Sequence, residues 1–150
     1  MTRFVVGLAL CALLGGAVVA DSEAAPNLSK AAYIAKGEAI CRSASVQLRK
    51  LPPTTTMASV VRKGPKWLAI DRKGLKSLRA LSPPAADRAR IAALLVLADR
   101  SINKGIAGFI AAAKKGNMTA YVNAGRRAQT MIDAAHRSAR AYGFSACARW

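Results

Sequence analysis

One histidine and 7 carboxylates in 150 residues leave little material for acid/base catalysis or a metal centre. Aromatic residues make up only 5% of the chain and β-branched residues are sparse, which argues against a sheet protein. No phosphate-cradling glycine loop and no Zn-ligand spacing is present, so an enzyme would lack parts. The hydrophobic content of 53% in turn excludes a wholly disordered basic tail. What remains is an alanine-rich chain of one-domain size, with 24 Lys and Arg and a formal charge of +17.

The N-terminus reads as a signal for export. Arg3 is followed by an uncharged apolar run from Phe4 to Ala20, shorter than the roughly 20 residues that comfortably span a bilayer. Small residues at Val18 and Ala20, or Ser22 and Ala24, fit cleavage after Ala20 or Ala24. Residues 1-25 are therefore expected to be a signal peptide and 26-150 a helical bundle domain, with an uncleaved anchor as the rival. The expected location is secreted or extracytoplasmic, associated with the cell envelope. Cys11 leaves with the leader, and the even pair that remains, Cys41 and Cys147, suggests a disulfide in an oxidising compartment. It would close a loop of about 107 residues, for which chain entropy gives on the order of 4 to 5 kcal/mol. Two free thiols are the alternative if the leader is not real.

Breaks at Pro52-Pro53, Ser82-Pro83-Pro84 and Gly116-Asn117 divide the rest into four segments. Each has helical periodicity: Tyr33, Ile40, Ala44, Leu48 and Leu51 in the first; Val60, Trp67, Leu75 and Leu78 in the second. Ile91, Leu94, Ile102, Ile106 and Phe109 mark the third, and Met118, Val122, Ile132 and Ala139 the fourth. Asn27 or Ser29, one of Thr54 to Thr56, Ser82 and Asn117 are candidate caps, and Gly116 and Gly143 candidate left-handed ends. The spacing predicts an all-α, up-down-up-down four-helix bundle with the second helix kinked at Pro65. Helix rise places the end of the fourth helix below Cys41, so Gly143 should reverse the chain and the tail climb back along the first helix, with Phe144 tucked in.

At 100° per residue, His136 falls on the inward face of the fourth helix and Asp71 on the apolar face of the second, at similar heights. They form a candidate buried polar pair. Acid/base chemistry is one use; a structural contact, or an arginine neutralising Asp71, is the other, since buried polar groups need partners whether or not they catalyse. His136 with Met57, Met118 or Met131 offers the ligand types of bundle cytochromes, but no Cys-x-x-Cys-His sequence exists to attach haem. No cofactor, metal or catalytic residue is expected.

Positive charge is spread over all four segments and is densest in the second: Arg62, Lys63, Lys66, Arg72, Lys73, Lys76 and Arg79. These residues are a candidate polyanion-binding face. For an exported protein the partners within reach are anionic cell-envelope polymers, lipid headgroups and extracellular nucleic acid, without sequence-specific recognition. The rival is a solvated basic face that keeps the protein soluble.

Three stretches resemble a known group. Gly37-Glu38-Ala39-Ile40-Cys41-Arg42 with Leu48 to Pro53, Leu78 to Arg88 across Ser82-Pro83-Pro84, and Tyr142-Gly143-Phe144 leading to Cys147 are similar to uncharacterised exported, alanine- and arginine-rich helical proteins of actinobacteria. The resemblance covers almost all of the mature chain and implies pairing of Cys41 with Cys147. It implies no activity. This chain departs from the group by continuing past Cys147 to Trp150. The functional expectation is a noncatalytic binding or structural module with a cationic surface; the alternative is a small hydrolase or redox protein using a buried His136/Asp71 pocket.

Overall fold

The computed structural model describes residues 27–150, so the leader and Cys11 lie outside the described residues. Within them the protein is all-helical, with no strand. Helix α1 (Lys30–Arg49) begins where the Ser29 side chain accepts from the Ala32 N–H. Asn27, the other candidate cap, instead accepts from the Arg88 guanidinium. Helix α2 (Met57–Arg79) opens with a reciprocal cap: Thr56 Oγ1 accepts from the Ser59 N–H, and Ser59 Oγ accepts from the Thr56 N–H. It remains helical through the exposed Pro65.

Ser82 does not cap the third rod; its carbonyl accepts from the Leu28 N–H. Pro83 and Pro84 hold the backbone out of the helical region there, and a short 3-10 turn (Ala85–Asp87) comes before α3 (Arg88–Arg100). A π-helical stretch (Ser101–Ile106) then carries α3 into α4 (Ala107–Lys114) with helical dihedrals on both sides of each junction. These three pieces form one continuous rod over 88–114. Gly116 turns the chain at φ +69°, Asn117 caps α5 (Met118–Tyr142), and Gly143 ends it at φ +116°. The N–H groups of Gly143 and Phe144 return to the carbonyls of Arg140 and Ala139, a Schellman closure.

Helix α1 packs on α2, α2 packs on α3 and α4, and the rod over 88–114 lies along α5. Small residues set these distances. Gly105 lies against the Ala128 backbone, and Gly64 is so close to Ile110 that a built Cβ would come within 2.6 Å of the Ile110 side chain. The inward ridge of α5 therefore runs through Ala124, Ala128 and Ala139. This corrects the expected ridge at its start: Met118 and Val122 are exposed and belong to neither core cluster, because the first turns of α5 turn Tyr121 inward instead, stacked on Phe109 against the second cluster.

The core is divided. One cluster gathers Tyr33, Cys41, Leu78, Ile91, Tyr142 and Phe144; the other gathers Val60, Ile110 and Ala113 with Trp67, Phe109 and Tyr121 around them. Tyr142 anchors the first: its hydroxyl donates to Asp87 at 2.8 Å, and Lys30 and Arg90 lie 5.0 and 5.4 Å from its ring centroid. Burial, and secondarily the Asp87 carboxylate, push its phenol pKa up to about 12.

Two glycines make this packing testable. Gly64→Ala forces Ile110 to move and should lower stability by about 1 to 3 kcal/mol. Gly108→Ala meets no atom within 4 Å and should raise it by about 0.5 to 1 kcal/mol through reduced chain entropy. Urea midpoints of the two variants should move in opposite directions, and a stabilised Gly64→Ala would contradict the α2–α4 contact.

Candidate functional site

The tail after Gly143 enters the bundle. α1 and α5 meet chiefly through it, and the short 3-10 turn (Cys147–Arg149) contacts both. Phe144 is buried against Tyr33 and Tyr142 and seats over Gly37, where any side chain would strike its ring. Cys147 reaches Cys41 with the sulfurs at disulfide distance, 2.04 Å. Beside them Glu38, only 7% exposed, receives the tail's main chain: the N–H groups of Ser145 and Ala146 donate at 2.6 and 2.8 Å, and the Ser145 hydroxyl at 3.1 Å. Burial works to raise the Glu38 pKa, but these donors, Ala146 first, outweigh it and hold the carboxyl below its usual range. Arg42 adds an exposed ion pair at 3.4 Å, which contributes little.

The tail ends by placing Trp150 between three helices. Its indole ring lies on Gly74 of α2, a position that Ala44 of α1 also approaches. Its main-chain oxygen is 2.6 Å from Nε2 of His136 on α5. Asp71, one turn before Gly74, is 7% exposed, and burial pushes its pKa up to about 6. The Trp150 indole N–H lowers it in part, yet makes no hydrogen bond of ordinary geometry with this carboxylate or any other group. Asp71 and His136 thus line one cavity, and each meets Trp150 rather than the other.

That cavity occupies the gap between the two core clusters. Its volume is about 580 Å³, with Leu78, Leu94 and Cys147 contributing from the first cluster side and Trp67, Ile106 and Phe109 from the second. Its walls are mainly apolar. Half-buried Leu48 on α1 and Ile132 on α5, with exposed Gln129, carry it out to solvent between those two helices. A sealed void of this size would cost on the order of 10 kcal/mol, comparable to the whole stability of a domain. The space is therefore an open site rather than a packing defect.

The cationic face lies on the outside of α2. Arg62, Lys66, Lys73 and Lys76 are exposed, fall on an arc of about 80°, and rise over roughly 21 Å. The other three candidates have internal partners. Lys63 donates to the carbonyls of Pro52 and Pro53, Arg72 to Asn103, and Arg79 to Asp99. Among the described residues the carboxylates face elsewhere: Glu38 holds the tail, Asp71 is buried, Asp87 takes Tyr142, Asp99 takes Arg79, and Asp133 takes Gln129. No group of His, Cys, Asp and Glu among the described residues could hold a metal ion, and no helix there is long and apolar enough to cross a membrane.

Comparison with family models, curated proteins and solved structures returns no match. Two participants in the site escaped sequence reasoning. Glu38 shares an apolar helix face with Tyr33, Gly37 and Cys41, and a carboxylate on that stripe was the available signal. Trp150 carried no signal, because its partners are reached only after the chain reverses at Gly143.

The two buried carboxylates should respond oppositely to substitution. Glu38→Ala leaves the tail N–H groups unmatched and should cost about 3 kcal/mol at pH 7; the contribution is present above the ordinary glutamate pKa and is lost as pH falls through the lowered folded value. An unchanged denaturation midpoint would contradict the role of Glu38 in holding the tail. Asp71 has a raised folded pKa, so the native state binds its proton more tightly and the charged form is a burden once pH exceeds about 6. Asp71→Asn should be more stable than wild type by on the order of 3 kcal/mol at pH 7.5, the gap closing between about pH 6 and 4. Urea titrations at four pH values measure this, and a pH-independent gap would contradict a buried, protonatable Asp71.

Proposed function

We propose that this protein is a noncatalytic binding module, exported to the cell envelope, whose cationic face engages polyanions there. The observation that carries the reading is the α2 arc of Arg62, Lys66, Lys73 and Lys76, which has no hydrogen bond or ion pair among the described residues while the carboxylates are engaged or buried elsewhere. Lys63, Arg72 and Arg79 flank it and extend the positive field. Export rests on the apolar leader over residues 1-25, and the Cys41–Cys147 pair is consistent with an oxidising destination. Kinship with the exported actinobacterial group belongs to the same reading.

Within it, the rods run alternately up and down. Support comes from Leu28 bonding to Ser82, from Arg79 and Arg72 meeting Asp99 and Asn103 in reversed order, and from Arg90 donating to the Ala141 carbonyl. A bend of α2 at Pro65, which has no N–H to give, would tilt Arg62 relative to Lys73. The hydrolase or redox alternative fares worse. Trp150 takes the His136 Nε2 and stands beside Asp71, and no nucleophile lies between them in the described hydrogen bonds.

Polyanion binding by four cations makes a definite salt dependence. Affinity for duplex DNA, used as a generic polyanion, should fall on the order of 100-fold between 50 and 200 mM salt. Replacing Arg62, Lys66, Lys73 and Lys76 together by Ser should flatten the log–log slope by about 3 to 4, whereas replacing Lys114, Lys115, Arg126 and Arg127 should flatten it less. Equal effects from the two sets, or no binding at physiological salt to DNA, heparin or anionic envelope polymer, would overturn the proposal.

A further inference from the structure

We propose that the central cavity binds a small, uncharged apolar molecule bearing one hydroxyl group, and that the hydroxyl bridges Asp71 and the indole N–H of Trp150. The volume of about 580 Å³ falls within the range of about 300 to 1,000 Å³ typical of small-molecule sites. Solvent in this open space, on the order of twenty waters by volume, meets few free polar groups on a mainly apolar wall, so an apolar ligand displaces it readily. The Ser101 hydroxyl donates to the Ala98 carbonyl, the Gln129 amide to Asp133, and His136 Nε2 lies against the Trp150 oxygen.

Two groups remain. Asp71, nine-tenths buried, accepts no hydrogen bond of ordinary geometry, and the Trp150 indole N–H beside it, near enough to lower its pKa in part, is buried without completing a bond. One is an acceptor and the other a donor. A hydroxyl satisfies both, donating to the carboxylate and accepting from the indole. An ammonium head would serve Asp71 and leave the indole N–H unmatched. A carboxylate head would serve the indole and repel Asp71. The remainder of the ligand would lie against Trp67, Ile102, Phe109 and Ile132.

The protein supplies its own reporter, since its two tryptophans both line the cavity. The disulfide-intact chain is titrated at pH 7.5 with 1-decanol, decanoate and decylamine while tryptophan emission is followed. The expected result is a saturable blue shift with 1-decanol, with affinity about tenfold or more above the other two. Ala98→Phe fills the cavity and should abolish the shift with the helical circular dichroism retained; Ala135→Phe serves if the first variant does not fold. Asp71→Asn should narrow the preference for 1-decanol over decanoate at least about tenfold. No saturable response to 1-decanol, tighter binding of decylamine or decanoate, an unchanged preference in Asp71→Asn, or a response that survives a folded filled variant would overturn the proposal. None of these readouts involves a polyanion, so this inference and the cationic-surface reading stand or fall separately.

Discussion

The seating of residues 143–150 between α1 and α5 is the constraint on which the rest of the structure depends. The two outer helices meet chiefly through this segment, so the bundle is closed by its own tail. Three kinds of bond hold it. Glu38 accepts the N–H groups of Ser145 and Ala146, Cys147 reaches Cys41, and Phe144 fills the surface left bare by Gly37. Glu38 does the work of a helix cap for a turn in another part of the chain: a negative charge placed at N–H groups that the short 3-10 turn leaves unmatched. Each bond depends on the others, because a shift of one residue in the tail would move Phe144 off Gly37 and Cys147 off Cys41 together.

A tail is thinner than a helix, and this explains the cavity. Residues 143–150 complete the packing near Tyr33, Cys41 and Tyr142, where the first core cluster is dense. They do not reach the level of Leu48, Trp67 and Ile132, so the space between α1 and α5 there stays open. The second cluster closes again around Val60 and Ile110, where α2 and α4 come together at Gly64. The void therefore follows from the architecture, with Trp150 forming the boundary between the filled and unfilled parts.

Much of this was legible in the sequence. The four helical segments, the Asn117 cap, the glycine reversals at 116 and 143 and the tail climbing back with Phe144 inside all follow from local rules: periodicity, capping chemistry and rise per residue. The start of the third rod departs from the expected Ser82 cap because Ser82 has a capping side chain but stands ahead of two prolines that hold the backbone out of the helical region. The π-helical stretch left no mark, since its residues pass for ordinary helix. Met118 and Val122 suit an inward ridge in isolation, but the start of α5 presents Tyr121 to Phe109 and leaves both exposed. Legibility thus follows the number of conformations a signal allows: a glycine reversal, a cap and a cysteine pair each permit few, whereas Ser82 ahead of prolines and the π-helical stretch share their residues with ordinary helix.

Glu38 and Asp71 are both buried carboxylates in a strongly basic protein, yet their proton affinities are displaced in opposite directions. Solvent exclusion disfavours the charge on each, so burial alone cannot separate them. The difference is supply of donors: Glu38 has several main-chain N–H groups aimed at it, whereas Asp71 faces an indole that does not complete a bond. A bundle assembled for stability alone would place an apolar residue at 71, where Leu75 and Leu78 already continue the stripe. The unmatched indole N–H of Trp150 thus lies at the central cavity, and Asp71, a residue that weakens the fold at neutral pH, stands beside it where a ligand would use both.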